Sequence, residues 1–224
     1  MAARHRMELW CPFVELDSSG KKYNAVAIVD PDSGLVGTAH EFHYLALRRH
    51  GLDVGPAIRV FKRPWGTLGC LVCFDIHYPE VSRVLAALGA EVVFWPTLTA
   101  GPWSIEAVRA KASVRCMDNG FWLIESNLAC PPPYAPYANR WEPGSCVFDP
   151  EGVMTANTGR RPGVCLVDVD LNRRSFGSHI VNLSGKEDHN VCEDLRDEFM
   201  KCLRSEYYGK FYSAIARKES SGRT

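Results

Sequence analysis

Residues 68–80 read LGCLVCFDIHYPE and join an apolar run to a turn that contains Pro79. A run as short and apolar as Leu68–Cys73 is typical of a buried strand. An apolar helix is predicted near Glu80–Leu88, and a second buried strand is predicted at Glu91–Phe94. Strand, helix and strand in this order predict a βαβ-like unit, and therefore an α/β fold in which helices cover a sheet.

The alternation of strands and helices continues on both sides of this unit. Turn residues separate the apolar runs, and the pair Asn119-Gly120 is a typical helix end. We predict one domain over residues 1–185, followed by a charged tail over residues 186–224 whose last residues, 219–224, are frayed. The further elements predicted are strands at Asn24–Val29, Leu35–Ala39, Phe121–Glu125, Ser145–Phe148 and Val164–Val169, and helices at Ile105–Asp118 and Glu193–Leu203.

The composition argues against several classes of partner. The 224 residues include 26 basic and 26 acidic side chains, so no net charge attracts nucleic acid or an anionic membrane. No apolar run reaches the roughly 18 residues of a membrane span. The first residues, MAARHRMELWCPF, lack the apolar core of a secretory signal. We therefore expect a cytoplasmic protein without nucleic-acid or membrane partners.

The nine cysteines are scattered, and most lie in apolar stretches, as reduced core cysteines do. Cys70 and Cys73 form a C-x-x-C spacing, but no second pair accompanies them at the spacing of a zinc site. If both residues belong to one strand, alternation places their side chains on opposite faces. The sequence therefore predicts neither a disulfide scaffold nor a metal site, and no cofactor is implied.

Cys73 is the candidate nucleophile, because it lies where a buried strand ends and a helix begins. The carboxyl edge of an open sheet is where ligands gather in α/β proteins. The positive end of a helix dipole favours a thiolate, and its free N–H groups, that of Phe74 first, could hold an oxyanion. The alternative is that Cys73 is a buried structural cysteine like Cys70.

The run Gly69–Glu80 resembles the nucleophile motif of the nitrilase superfamily, in which an apolar strand leads to Cys-Tyr/Phe-Asp, an aromatic-Pro-Glu triplet and a helix with Arg, here Arg83. Further motifs of the family follow in the same order. The resemblance covers roughly residues 14–175 and implies a four-layer α-β-β-α sandwich, N-terminally incomplete, that assembles into homo-oligomers. The further motifs are Tyr23-Asn24, Asp30–Gly34, Gly89-Ala90, Pro96-Thr97, Arg109–Ala112, Asp118–Gly120, Ser126-Asn127, Gly144-Ser145 and Asp149–Gly152.

The resemblance also implies which catalytic groups this chain lacks. Family members use a cysteine, a glutamate base and a lysine that stabilises the tetrahedral intermediate. The family glutamate belongs to a segment that precedes the part resembling Leu9–Asp17, and Glu15 does not replace it. The family lysine falls in the motif at Leu35–Tyr44, where Glu41 occupies its position. The position of a second family glutamate, further along the chain, falls near Arg48 or Arg49. The lysine position is thus acidic and the glutamate position is basic, so the two charges are exchanged.

A negative charge on Glu41, in place of the positive charge of the family lysine, destabilises both the Cys73 thiolate and the oxyanion. Two unit charges about 4 Å apart interact by roughly 4 kcal/mol at an effective dielectric near 20, so we expect impaired catalysis. Glu41 could instead act as the base, or His43 or His77 could pair with Cys73. Thr97 and Trp103 are candidates for contacting substrate, and Trp95 could do the same, although such aromatic residues more often belong to the core or rim.

Two functions follow from the resemblance. The first is hydrolysis of a carbon–nitrogen bond in a small amide or nitrile through a cysteine thioester. The alternative is a catalytically inactive family member that keeps the fold for subunit assembly or ligand binding. Acyl transfer to an acceptor other than water is a third, weaker hypothesis.

Overall fold

The computed structural model describes residues 1–43, 50–99, 104–128, 144–159, 161–172 and 203–221. The chain divides into two units, residues 1–180 and 181–224. The boundary predicted at residue 185 stays a prediction. The first unit contains a three-stranded sheet, a six-stranded sheet and helices, which confirms the predicted α/β class. No helix in these ranges is long and apolar enough to cross a bilayer.

The first sheet is antiparallel and consists of β1 (Leu9–Leu16), β2 (Lys22–Asp30) and β3 (Gly34–His40), in that order. The strands predicted at Asn24–Val29 and Leu35–Ala39 correspond to β2 and β3, which form an antiparallel hairpin. Asp30 builds its turn, because its carboxylate accepts hydrogen bonds from the backbone N–H groups of Asp32 and Ser33 at 2.9 and 2.8 Å.

The second sheet has six strands, and its middle strands run parallel. Strands β5, β6 and β7 are parallel, whereas the outer pairs are antiparallel. The parallel pair β5–β6 with its intervening helix is the predicted βαβ unit. In spatial order the strands are β4 (Val60–Arg63), β5 (Gly66–Cys70), β6 (Val92–Thr97), β7 (Trp122–Asn127), β8 (Cys146–Phe148) and β9 (Met154–Asn157).

Local capping signals set the helix ends. The hydroxyl of Ser104 accepts a hydrogen bond from the N–H of Ala107 at 3.1 Å, and Gly120 ends the same helix in the left-handed region with φ of 65°. Pro79 begins another helix, where its missing N–H costs nothing. The helices are α1 (Ala2–His5), α2 (Pro79–Ala87), α3 (Ile105–Asn119) and α4 (Ser205–Ser221), and a short 3₁₀ helix covers Cys73–His77.

The two sheets pack face to face, and helices cover the other face of the second sheet. Val26, Ile28 and Ala39 of the first sheet share a buried cluster with Leu68, Cys70, Val72 and Phe94 of the second. Between Leu68 and Cys70, Gly69 faces the opposite way, and a Cβ there would lie 3.1 Å from the side chain of Leu85 in α2. The described residues thus provide three of the four layers, in the order sheet, sheet, helix.

One ion-pair cluster joins the two sheets. The Arg63 guanidinium at the end of β4 contacts the carboxylates of Glu8, at 2.5 Å, and of Asp30 in β2. All three side chains are largely buried. The carboxylates raise the pKa of Arg63, while hydrogen bonds from its turn lower the pKa of Asp30 to about 2.

Two predicted elements differ from the structure, and a third lies almost wholly outside the described residues. The strand predicted at Leu68–Cys73 ends at Cys70, because the chain turns into the 3₁₀ helix. The segment Val164–Val169 forms no strand; Val167 and Val169 pack against the sheet, whereas Val164 and Leu166 are exposed. Of the helix predicted at Glu193–Leu203, all but Leu203 lies outside the described residues, and the helix that the structure describes in the tail is α4.

Candidate active site

The carboxyl ends of β5, β6 and β7 meet at one edge of the second sheet and open onto a cavity. This cavity, the larger of two that Cys73 borders, has a volume of about 360 Å³. Cys73 and Thr97 contribute to it from the sheet edge, and Pro12 and Asn24 contribute from the first sheet. Its described lining is Pro12, Asn24, Val72, Cys73, Pro96, Thr97, Leu98, Ser126, Asn127 and Leu128.

A smaller cavity of about 130 Å³ lies beside it, and Cys73, Thr97 and Leu98 line both. Its walls are mainly apolar. Thr99 also lines it; this residue is 5% exposed, and its buried hydroxyl has no hydrogen-bond partner among the described residues. Cys73 therefore borders two spaces of different size. The smaller cavity is lined by Cys73, Phe74, Ile76, His77, Trp95, Thr97, Leu98, Thr99 and Val108.

Cys73 has a strained backbone. Its φ is 49°, a left-handed value that non-glycine residues rarely adopt. Such outliers persist only where the surroundings impose them, and they cluster at functional sites. Here the indole N–H of Trp95 donates to the carbonyl oxygen of Cys73 at 2.9 Å, and the N–H of Val72 donates to Asp75 at 3.3 Å. These contacts hold the sharp turn that places the sulfur at the sheet edge.

Hydrogen bonds to Asp75 connect this turn with the segment after β3. Its carboxylate, 1% exposed, accepts hydrogen bonds from the backbone N–H groups of Phe42 and His43 at 3.1 and 3.0 Å. The ring Nδ1 of His43 lies 3.0 Å from the same carboxylate. The Asp75 contacts thus fix the backbone next to Glu41 against the backbone next to Cys73.

Glu41 lies against the turn that carries Cys73. One oxygen accepts a hydrogen bond from the N–H of Phe74 at 3.2 Å, and the other accepts one from the Asn24 amide at 2.8 Å. Burial raises the pKa of Glu41 to about 7; the negative charge of Asp75 adds to the rise, and the two hydrogen bonds oppose it. The predicted oxyanion donor, the Phe74 N–H, is therefore already engaged by a carboxyl group.

The surroundings of Cys73 favour its protonated thiol. Burial raises its pKa to about 12, with the charge of Glu41 as the next cause, and the N–H of Leu98 opposes the rise. The N–H of Phe74, at the start of the 3₁₀ helix, lowers the pKa as expected, but burial outweighs it in the unliganded site. A five-residue 3₁₀ helix has a weak dipole, and removal from water outweighs it.

The two candidate histidines have other partners. His43 binds Asp75 and stacks on Tyr78 with ring centroids 3.4 Å apart. The Nδ1 atom of His77 accepts a hydrogen bond from Lys111 at 2.8 Å. Burial and the neighbouring charge of Lys111 lower the pKa of His77 to about 4, so its ring is neutral while it borders the smaller cavity.

The other residues predicted to contact substrate differ in where the structure places them. Thr97 lines both cavities, whereas Trp95 is fully buried and contacts the Cys73 backbone. Trp103 lies outside the described residues, as do Arg48 and Arg49. Asn24 and Asn127 also line the larger cavity; both belong to motifs recognised in the sequence, but no pattern there assigned them a role. Leu98 and Thr99 carried no sequence signal.

No group of three or more metal-binding side chains is close enough to hold an ion within the described ranges. The polar groups that the structure brings together at Cys73 are a thiol, a carboxyl group, an asparagine amide and backbone N–H groups. These groups suit covalent catalysis by cysteine, and Glu41 contacts the turn through the N–H of Phe74.

A family model described as carbon-nitrogen hydrolase matches residues 1–175. The chain is 25% identical over 175 residues to deaminated glutathione amidase of Synechocystis sp., covering 72% of this chain and 62% of that protein. It is 24% identical over 169 residues to human omega-amidase NIT2, covering 70% and 59%. The chain thus spans less than two thirds of the length of these relatives.

Solved structures agree in fold. Saccharomyces cerevisiae Nit3, a member of the nitrilase superfamily, aligns with a TM-score of 0.65 at 22% identity, covering 72% of this chain and 59% of that one. A variant of the amidase from Nesterenkonia sp. AN1, with the acetamide moiety of fluoroacetamide bound to its active-site cysteine, aligns with a TM-score of 0.72 at 20% identity, covering 94% and 70%. The nitrilase-type fold predicted from the sequence is thereby confirmed.

Proposed function

This chain belongs to the carbon-nitrogen hydrolase family, and on that premise we propose that it hydrolyses a carbon–nitrogen bond of a small molecule, an amide or a nitrile, through a thioester at Cys73. The observation that carries the proposal is the place of Cys73. It begins a strained turn at the carboxyl ends of parallel strands and borders a cavity of about 360 Å³. Relatives named as amidases support the reaction class.

Glu41 is the proposed base. A carboxyl group with a pKa of about 7 takes up and releases protons near neutral pH, which is the range where general bases work best. In the proposed reaction Glu41 takes the thiol proton as sulfur attacks the substrate carbon, and the proton then passes to the leaving nitrogen. Water hydrolyses the resulting acyl-cysteine.

The Phe74 N–H is the proposed oxyanion donor, and it is available only after a change at Glu41. In the unliganded site this N–H donates to the Glu41 carboxyl at 3.2 Å. A substrate oxygen must displace that carboxyl oxygen, and an ionised Glu41 would repel the developing negative charge. We therefore propose that turnover of neutral amides is slow. Thr97 is a proposed substrate contact because it lines both cavities.

A catalytically inactive member that binds a ligand or assembles with other subunits is the second candidate. The contact between Glu41 and Phe74 and the raised pKa of Cys73 favour it. Because burial raises the pKa of this thiol, only a minor fraction of it is thiolate at neutral pH. In both cases the family resemblance suggests a homo-oligomer. The cytoplasmic location and the role of Trp103 stay predictions from the sequence.

The test is ammonia release from a panel of small amides and nitriles by the wild type, Cys73→Ala and Cys70→Ala. Cys70 is the matched control, because it is a buried thiol three residues before Cys73, at the end of β5. Release that is lost in Cys73→Ala and kept in Cys70→Ala supports the hydrolase. Saturable binding of the same compounds without any release supports the inactive alternative.

A further inference from the structure

Asn24 holds Glu41 at two points. Its backbone carbonyl accepts a hydrogen bond from the Glu41 N–H at 2.9 Å, and its side-chain amide donates to the Glu41 Oε2 atom at 2.8 Å. The Glu41 Oε1 atom accepts the Phe74 N–H at 3.2 Å. Because Asn24 binds both the backbone and one carboxyl oxygen of Glu41, it orients the carboxyl group with its other oxygen on the Phe74 N–H.

The partners of Glu41 connect a buried carboxyl group with the site. Glu41 is 2% exposed and does not belong to the described lining of either cavity. Asn24 lines the larger cavity, Phe74 lines the smaller one, and Cys73 lines both. The carboxyl group is thus held between two residues of the cavity walls, and Asn24 is the one that binds it through a side chain.

Asn24 has a fixed place from which to hold this group. It belongs to β2, the middle strand of the first sheet, and Val14 of β1 lies opposite it. Its neighbours Tyr23 and Ala25 are buried. Glu41, by contrast, follows the last residue of β3. Side chains on strands are placed more precisely than those on loops, so Asn24 is suited to anchor a carboxyl group that lies beyond the end of a strand.

The hydrogen bond from Asn24 also acts on the protonation of Glu41. Burial raises the pKa of Glu41 to about 7, and among the causes that lower this pKa the Asn24 bond is the largest. An N–H donor favours the carboxylate, because the ionised oxygen is the stronger acceptor. Among the described residues, Asp75 of the 3₁₀ helix raises the pKa of Glu41 and His43, after β3, lowers it. The charge of Glu41 in turn adds to the effect of burial on the Cys73 thiol.

From this geometry we infer that Asn24 is the positioning residue of Glu41 and directs its carboxyl group onto the Phe74 N–H beside Cys73. The inference rests on the proposed function in one respect, namely that Glu41 is the base of the reaction. Loss of the Asn24 amide should make Glu41 harder to ionise. A side chain that served only the packing of β2 would change the stability of the protein and leave the titration of Glu41 where it is.

The Phe74 amide reports on Glu41, because the two groups are hydrogen bonded. The dipeptide Cys-Phe occurs once in the chain, at residues 73–74, so carbonyl-¹³C cysteine and ¹⁵N phenylalanine together label a single peptide bond. The chemical shift of this amide in the full chain is measured by NMR from about pH 5 to about pH 9. In the wild type we expect a titration with a midpoint at about 7, and its loss in Glu41→Gln assigns it to Glu41.

A matched set of variants tests the role of Asn24. Asn24→Leu keeps the branched shape of the side chain without the donor, and it should raise the midpoint by about one pH unit, since a hydrogen bond to the ionised form is lost. Tyr23→Phe is the control, because it removes a hydrogen bond at 3.3 Å to another carboxylate, Asp17, from the same strand. In this control the midpoint should not change.

Two further measurements cover a failure of Asn24→Leu to fold. Asn24→Val is smaller, suits a strand and also lacks the donor, so the same rise is expected. In the wild type, the side-chain amide protons of Asn24 should titrate with the midpoint of Glu41, because they donate to its carboxyl group. Asn24 amide protons that do not follow this titration overturn the inference.

The outcomes separate this inference from the proposed function. An unchanged or lowered midpoint in a folded Asn24 variant overturns the role of Asn24, and so does an equal rise in Tyr23→Phe. A wild-type Phe74 amide without a titration that depends on Glu41 also overturns it. Ammonia release that depends on Cys73 keeps the hydrolase standing in all these cases. A raised midpoint without such release supports the positioning of Glu41 by Asn24 and overturns the hydrolase.

Discussion

Replacing Glu41 by glutamine should change how the stability of the protein depends on pH. Glu41 is 2% exposed, and burial raises its pKa from 4.5 to about 7. The folded protein therefore holds this proton more tightly than the unfolded chain does. The contribution of Glu41 to stability is fully present below pH about 4.5 and is lost as the pH rises through about 7.

The size of the effect follows from the pKa difference. One pKa unit corresponds to about 1.4 kcal/mol, so a shift from 4.5 to about 7 corresponds to about 3 kcal/mol at full ionisation. Glutamine keeps the shape and the contact with Asn24 but does not titrate. Between about pH 5 and pH 9, the free energy of unfolding of the wild type should fall relative to that of Glu41→Gln by about 3 kcal/mol.

Urea unfolding of both proteins at several pH values between these limits measures the difference. Glu106→Gln is the control, because Glu106 is exposed at the surface. A difference between wild type and Glu41→Gln that stays constant across the range would show that Glu41 titrates normally in the folded protein. The argument from burial, and the role of Glu41 as a base near neutral pH, would then be wrong.

Three further predictions concern the structure around the site. Arg63→Ala leaves the carboxylates of Glu8 and Asp30 without their partner and should lower the free energy of unfolding; an unchanged free energy in urea unfolding would contradict this. Gly69→Ala crowds Leu85 at 3.1 Å and should lower the melting temperature through a loss of about 1–3 kcal/mol, and an unchanged melting temperature would count against the described packing. Trp95→Phe removes the donor to the Cys73 carbonyl at 2.9 Å and should cost about 1–2 kcal/mol and slow alkylation of Cys73. Unchanged stability and rate would show that this bond does not hold the turn.

Local signals in the sequence were sufficient to predict much of the fold. The hairpin at Asp30–Gly34 and the end of α3 at Gly120 depend on residues a few positions apart, and both agree with the structure. Residues 68–80 indicated the βαβ unit for the same reason. The backbone conformation of Cys73 could not be predicted from neighbouring residues alone. Contacts with Trp95 and Asp75 impose its left-handed backbone, and no local pattern reveals those contacts.

The chemistry of the site depends on long-range contacts. Glu41 was recognised in the sequence because it replaces a lysine of the family, but its hydrogen bond to Phe74 joins residues 33 positions apart. The pKa of Cys73 depends on burial, which a sequence does not measure. At Val164–Val169 the apolar alternation indicated a strand, but no neighbouring strand pairs with it in the described part of the chain.

The most direct test of the role of Cys73 is to trap the acyl-enzyme. The protein is mixed with a small amide or nitrile, quenched in acid, and analysed by intact mass and peptide mapping. We predict an acyl or imidoyl adduct on the Cys73 peptide that hydroxylamine removes, together with ammonia release that Cys73→Ala abolishes. Ammonia release at an undiminished rate in Cys73→Ala, or an adduct on another residue, would contradict Cys73 as the nucleophile.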